Sequence, residues 1–287
     1  MKDFLNAPDT LKIIREALTE DIGTGDHTSL ATIPEKAMGS MKCLIKESGI
    51  LAGVDFAGKV FQELDPTVHF EKCIEDGTSV NPGDIAFRVK GRVQALLSAE
   101  RLALNAMQRM SGIASTTRKA VEAMKGTSCI LLDTRKTTPL VRHLEKWAVT
   151  IGGGQNHRFG LYDMILIKDN HIDFSGGIIQ AIQAAERYQL DKGYHLPVEI
   201  EARTIEEVLE ILAYGKVNRI LLDNMSVEMM QECVNLIGGR FETEASGNIT
   251  LENIRAKAAS GVNYISSGAL THSVKSLDIS LKFEAAH

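Results

Sequence analysis

The sequence predicts an α/β protein in two parts: a small open sheet with helices on one face, then parallel strands forming a small or irregular (β/α) barrel. Three observations predict it. Short apolar runs alternate with amphipathic helical stretches through the second half, and a chain that returns through a helix after each strand builds a parallel sheet. The runs are CILLD (129–133), DMILI (163–167), PVEIE (197–201), NRILL (218–222), RFETE (240–244) and VNYIS (262–266). Polar residues gather at their ends, whereas the first half has short β-like runs divided by turn residues. Only six such strands are visible, so a smaller or irregular barrel is expected rather than a complete eight-stranded one. An open doubly wound sheet would also place its strand ends along one edge, but no GxGxxG follows the first strand.

Taken in order, Leu11, Ile14 and Leu18 recur at helical spacing over residues 10–20, and EDIGTGDHTS then breaks the pattern. MKCLIKES (41–48), VHFEKCIE (68–75) and IAFRVKGRV (85–93) read as strands around a helix at 54–64, with DGTSVNPGD supplying turn residues. A serine cap followed by Glu100 in the first turn predicts a long helix from Ser98 to Lys125 that bridges the halves. The expected domains are therefore 1–125, a sandwich-like unit with its bridging helix, and 126–287, the barrel, with the extreme C-terminus able to return to the first unit.

At 287 residues, 44% hydrophobic and 24% charged, the chain has the composition of a folded globular protein. Its net charge of −5 sets it against nucleic acid and anionic lipid as partners. Cys43, Cys73, Cys129 and Cys233 lie far apart with no CxxC pair, and read as small buried hydrophobes of a reducing compartment. The N-terminal stretch lacks the apolar core of a signal peptide and no run is long enough to span a bilayer, so a cytoplasmic protein is expected.

In a barrel, the C-terminal strand ends form the rim of one mouth, so groups more than a hundred positions apart converge there. Residues 133–171 carry six Lys/Arg against four acids, a local 6 − 4 = +2 in an acidic chain, which points to an anionic ligand. Arg142 and Lys146 read as a solvated helix face. Arg135, Lys136, Arg158 and Lys168 sit at strand ends or beside the glycines 152–154, whose missing side chains allow close approach by a ligand or another segment. Glu201 and Asp223 end neighbouring strands. They suit Mg²⁺ bound through water, or sugar hydroxyls, although either one is about as readily a structural partner of a nearby lysine. Glu199 shares the face of Glu201. Ser246-Gly247-Asn248, followed by a helix expected near Thr250, and Ser266-Ser267-Gly268 match the common barrel phosphate site. No HExxH, GxSxG or Walker A sequence is present, which argues against a zinc enzyme, a serine hydrolase and a P-loop kinase. Met229 and Met230 read as core.

Seven segments carry a resemblance. DTRKTTP (133–139), GGGQNHR (152–158), LIKDNH (166–171), EIE (199–201), LDN (222–224), EASGN (244–248) and SGALTH (267–272), with EDIGTGDHT (20–28) and ERLALN (100–105), resemble the quinolinate phosphoribosyltransferases over almost the whole chain. Leu140 stands where that family leads one to expect glycine, and Glu201 is followed by Ala-Arg. The resemblance implies transfer of phosphoribosyl from phosphoribosyl pyrophosphate to quinolinate with decarboxylation, giving nicotinate mononucleotide, pyrophosphate and CO2 in de novo NAD biosynthesis. It also implies an N-terminal open-faced sandwich, an incomplete C-terminal barrel, Mg²⁺, and a homodimer with shared active sites that is able to assemble further. By it, Arg101 enters the neighbouring subunit's site, and Arg135, Lys136, His157, Arg158 and Lys168 hold the carboxylates and pyrophosphate. Lys136, Lys168, Glu201 and Asp223 take the catalytic part, the two acids meeting ribose hydroxyls and the metal, while Ser246, Gly247, Asn248, Ser267 and Gly268 take the 5′-phosphate. Two other readings stay open at this point: a related transferase with a monocarboxylate acceptor such as nicotinate, and an inert sensor of phosphorylated sugars.

Overall fold

A computed structural model describes residue 5 and residues 8–285, in two compact units. One comprises the chain up to Arg118, Thr138–Gly153 and the chain from Ser273; the other comprises Lys119–Thr137 and Gly154–His272. The first unit thus takes up two later segments, the C-terminal one that the sequence allowed for and Thr138–Gly153 in addition.

The first unit opens with α1 (Pro8–Ile22) and α2 (His27–Thr32), the latter capped by Asp26, whose Oδ1 accepts from Ser29 N at 3.0 Å. Next come β1 (Met38–Ile45), β2 (Gly49–Ile50), α3 (Val54–Leu64), β3 (His69–Lys72), β4 (Ser79–Val80) and β5 (Ile85–Arg92). Phe56, Val60 and Phe61 of α3 are buried, and the rings of Phe61, Phe70 and Phe87 cluster at centroid distances of 4.6–6.2 Å. The four-stranded antiparallel sheet runs in the order β12-β1-β5-β3, so the C-terminal strand β12 (Ile279–Glu284) pairs with β1, Cys43 opposite Leu281.

Helix α4 (Val93–Ala123) begins one and a half turns before the expected Ser98. Nothing from Val93 to Leu97 breaks a helix, and Ser98 is interior to it, its hydroxyl donating to Asp26 Oδ2 at 3.2 Å instead of capping. Helix α5 (Arg142–Gly152) corrects the expectation of a solvated face: Glu145 and Lys146 are both buried, and Arg109 on α4 donates to Glu145 Oε1 at 2.9 Å. The glycine run serves this packing, not a ligand. A Cβ on Gly152 would lie 2.6 Å from Ala114 O, and Gly153, at φ 101°, caps α5. Of the cysteines, Cys43 and Cys233 are buried as expected, but Cys73 is exposed, beside Arg88.

The second unit is built on six parallel strands: β6 (Ile130–Leu132), β7 (Ile165–Ile167), β8 (Val198–Ala202), β9 (Arg219–Asp223), β10 (Glu242–Ser246) and β11 (Tyr264–Ser266). Every one of the six apolar runs forms its strand. Helices α6 (Asp169–Ser175), α7 (Ile178–Lys192), α8 (Ile205–Tyr214), α9 (Val227–Ile237), α10 (Ile254–Ala258) and α11 (Ala269–His272) return the chain. The order β6-β11-β10-β9-β8-β7 joins the last strand to the first and leaves a seam between β6 and β7, which makes the barrel incomplete. Ile200, Ile220, Leu222, Ala245 and Ile265 are fully buried, while their alternating neighbours face the interior, as the period of two requires. Among the described residues no helix is long and apolar enough to cross a membrane.

Candidate active site

Strand register sets the interior in layers. Glu199 pairs with Arg219, Glu201 and Glu244 flank Leu221, and Asp223 pairs with Ser246 nearest the mouth. The upper layers open into a cavity of about 810 Å³ lined wholly by the second unit.

The floor is charged. His157 Nε2 lies 2.9 Å from Glu199 Oε2 and 3.4 Å from Glu244 Oε2, both acids fully buried. Arg219 meets Glu244 at 2.9 Å and covers the Tyr264 ring at 3.9 Å. Burial, then the charge of Glu244, raises the Glu199 carboxyl pKa, whereas the His157 contact holds Glu244 below the usual range despite burial. Burial works to neutralise His157, but the two acids outweigh it and draw the ring up to about 9. Against this, Nδ1 accepts the Arg158 N–H at 2.6 Å, a bond available only to an unprotonated Nδ1. That contact opposes a second ring proton and assigns the proton to Nε2, aimed at the acids. His157 therefore points its donor at the floor. Its Nε2 and one oxygen of each glutamate lie within 4.8 Å of one another, the one such three-ligand group among the described residues, and Arg219 already supplies the compensating charge there.

The wall toward the seam is cationic. Gln155 forms an isolated parallel bridge with Leu132 on the free edge of β6, and Asp133 Oδ1 accepts from His157 N at 2.9 Å. This fixes the segment that carries Arg158, and Arg135, Lys136 and Lys168 line the same cavity. Burial, and then the neighbouring charge of Arg135, depress the Arg158 pKa, so two half-buried guanidinium groups are held near one another. Arg135 Nε is buried with no hydrogen-bond partner among the described residues. Like charges arranged this way are half of an interaction whose other half is an anion.

Glu201 follows the structural alternative. Lys168 Nζ donates to its Oε1 and Asp169 N to its Oε2 at 3.0 Å, so both oxygens already meet protein donors. Asp223 lines the cavity and meets Asn224 Nδ2 at 2.9 Å.

The two glycine turns follow β10 and β11, and the second adjoins Lys136, whose Cδ would lie 2.7 Å from a Cβ on Gly268. Gly247 has φ +87°, and a Cβ there would fall 2.1 Å from Asn224 Oδ1. The helix expected near Thr250 is corrected: α10 starts at Ile254 and is a single short turn, so the turn offers loop N–H groups and no helix terminus. Ser267 and Gly268 follow β11 and line the same space, with Thr271 Oγ1 tying to Lys136 O at 2.7 Å. Arg101 lies exposed on α4. Arg219 and Lys257 escaped the sequence reading, whereas Asn224, at φ 54°, stood in the LDN segment without a role of its own.

A parallel barrel with paired guanidiniums and free loop amides at its mouth is built as an enzyme site for a ligand bearing several negative charges. Comparison with known proteins agrees. Family models for quinolinate phosphoribosyl transferase match here, the N-terminal domain over residues 26–111 and the C-terminal domain over 113–282. The chain belongs to the quinolinate phosphoribosyltransferase family. It is 48% identical over 291 residues to a chloroplastic nicotinate-nucleotide pyrophosphorylase (carboxylating) of Arabidopsis thaliana, covering 96% of this chain and 83% of that one. A probable nicotinate-nucleotide pyrophosphorylase of Bacillus subtilis is 43% identical, covering 94% and 92%. The crystal structure of NadC from Streptococcus pyogenes superposes with a TM-score of 0.89 at 39% identity, covering 96% of each chain. Human nicotinic acid phosphoribosyltransferase, at 14% identity and a TM-score of 0.61, shares the fold alone.

Proposed function

We propose that this chain transfers the phosphoribosyl group of phosphoribosyl pyrophosphate to quinolinate and decarboxylates the product to nicotinate mononucleotide, releasing pyrophosphate and CO2, as a cytoplasmic step of de novo NAD biosynthesis. The observation that carries it is the Arg135–Arg158 pair, two half-buried arginines lining one cavity large enough for a dicarboxylate and a sugar phosphate. One carboxylate would not require both.

In the reaction the pyridine nitrogen attacks the anomeric carbon while the bond to pyrophosphate oxygen breaks, its electron pair leaving with pyrophosphate. Lys136 and Lys168 stand on the cavity wall to meet the growing negative charge, and Glu201 and Asp223 face the cationic ribose. The positive charge of the alkylated nitrogen then stabilises the electron pair left on the adjacent ring carbon as CO2 departs, and a proton adds to that carbon. The protein's part is positioning and electrostatics. Mg²⁺ prefers oxygen donors, keeps much of its water and binds through one or two carboxylates plus substrate phosphates. Asp223 fits that role, and Glu201, with both oxygens engaged, supports it through water or ribose hydroxyls. When bound, the ion would neutralise charge on the pyrophosphate. Exposed Arg101 serves the site of a second copy in this reading, making a homodimer the working unit.

The test is turnover of quinolinate and phosphoribosyl pyrophosphate with Mg²⁺, read as nicotinate mononucleotide and CO2, with nicotinate as competitor substrate. Arg135→Ala should raise KM for quinolinate about 100-fold, the loss of a charge-assisted pair, with an unchanged melting temperature. Preference for nicotinate, or near-normal quinolinate kinetics in that variant, refutes the reading.

A further inference from the structure

Lys257 lies on α10 behind the Ser246–Thr250 loop, only 9% exposed, and belongs to none of the motifs above. Its Nζ donates to Gly247 O at 2.8 Å. The next carbonyl, Asn248 O, accepts from Asn253 Nδ2, also at 2.8 Å. A trans peptide sets its C=O and N–H on opposite sides, so drawing back these carbonyls turns the N–H groups of Asn248 and Ile249 the other way. Gly247, Asn248 and Ile249 line the cavity and Lys257 does not. Among the described residues, no hydrogen bond uses the N–H of Gly247, Asn248 or Ile249. These amides face a space with no protein acceptor, and the oxygens that would repel an anion are tied behind them.

We propose that Lys257 is a positioning residue for the phosphate subsite: its buried ammonium restrains the Gly247 carbonyl, keeps the loop amides presented to the 5′-phosphate, and adds positive charge behind them. This rests on the reading of Ser246–Asn248 and Ser267–Gly268 as the 5′-phosphate subsite. Burial alone would favour the neutral amine, and Asp223 opposes that by favouring the charged form. A lysine is required here and not merely tolerated, because an apolar side chain of the same length would leave Gly247 O unpaired and free to turn toward the phosphate.

The test compares the full-length protein with Lys257→Met, which keeps the stem and removes the charge, and Lys257→Arg. KM for phosphoribosyl pyrophosphate should rise about ten-fold in the methionine variant, with kcat and KM for quinolinate within about two-fold, and arginine should recover part of the loss. Independently of turnover, ribose 5-phosphate should raise the melting temperature of the starting protein and raise that of the methionine variant much less. A lowered melting temperature with the ribose 5-phosphate shift and KM intact makes Lys257 a structural strut and overturns the proposal. Equal rises in both KM values, not reversed by arginine, overturn it too. If the unaltered protein does not turn over quinolinate, the assigned reaction fails, and the ribose 5-phosphate shift still decides the subsite; absence of any shift there removes both.

Discussion

Gly247→Ala should damage the loop by two separable routes. The first is conformational: φ of +87° places an alanine in the left-handed region at about 1 kcal/mol. The second is steric, since the new Cβ would sit 2.1 Å from Asn224 Oδ1 and 2.4 Å from its Cγ, so Asn224 must move. Moving it breaks the bond from Asn248 Nδ2 to Asn224 Oδ1 at 3.0 Å and that from Asn224 Nδ2 to Asp223 Oδ2 at 2.9 Å. At this exposed position each contributes about 0.5 kcal/mol, bringing the total to about 2 kcal/mol, or about 4–8 °C in melting temperature. Gly239→Ala is the control: φ is +74° but no atom lies within 4 Å of its Cβ, so only the conformational part remains, about 2–4 °C. Thermal melts separate the two, and kinetics add a second axis, because only the Gly247 variant should raise KM for phosphoribosyl pyrophosphate. Equal melting shifts with unchanged KM would show that the loop has room the packing denies, and the reasoning about the phosphate turn would fall with it.

Leu140 carries φ +68° while 82% exposed, so its side chain contributes little packing to offset the strain. Leu140→Gly should stabilise the protein by about 0.5 kcal/mol, where the same change at an ordinary loop position destabilises; a lower midpoint in denaturant melts would contradict it. Asp76 accepts Val54 N at the start of α3 through Oδ1 at 3.0 Å while Oδ2 is buried with no hydrogen-bond partner among the described residues, and burial raises its pKa to about 6. Since the folded pKa exceeds the unfolded value of 3.8, the native state binds the extra proton, and stability falls as pH rises through the window from about 4 to about 6. The difference in melting temperature between Asp76→Asn and the unaltered protein should move in the variant's favour across that window; a difference independent of pH refutes the assignment.

What the sequence displayed was periodicity and punctuation, and those parts of the fold were legible. Six apolar runs with polar ends became six parallel strands, and the cations at their ends lie on one cavity. Pairings of distant groups were not legible. Lys146 looks like part of a solvated face until it is seen buried beside Glu145, which Arg109, 36 residues earlier, meets in the interior. Ser98 looks like a cap because serine and glutamate so often begin helices, yet the apolar residues before it simply continue the helix. Lys257 could not be found at all, because its partner is a backbone carbonyl, and every residue has one.

The seam explains why the cationic wall is built as it is. A strand in the gap between β6 and β7 would fix its residues by ladder bonds on both sides. The segment from Gln155 to Arg158 has only one bridge to β6, and its position depends on side chains: Asp133 below His157 N, and the buried acids facing the imidazole. The charged floor, costly to bury in itself, thus anchors the segment that presents Arg158. Opening the barrel admits a guanidinium to the mouth from the side, next to Arg135, which six regular strands could not supply from their ends alone. Incomplete closure and the meeting of two guanidiniums at the mouth are on this view one structural decision.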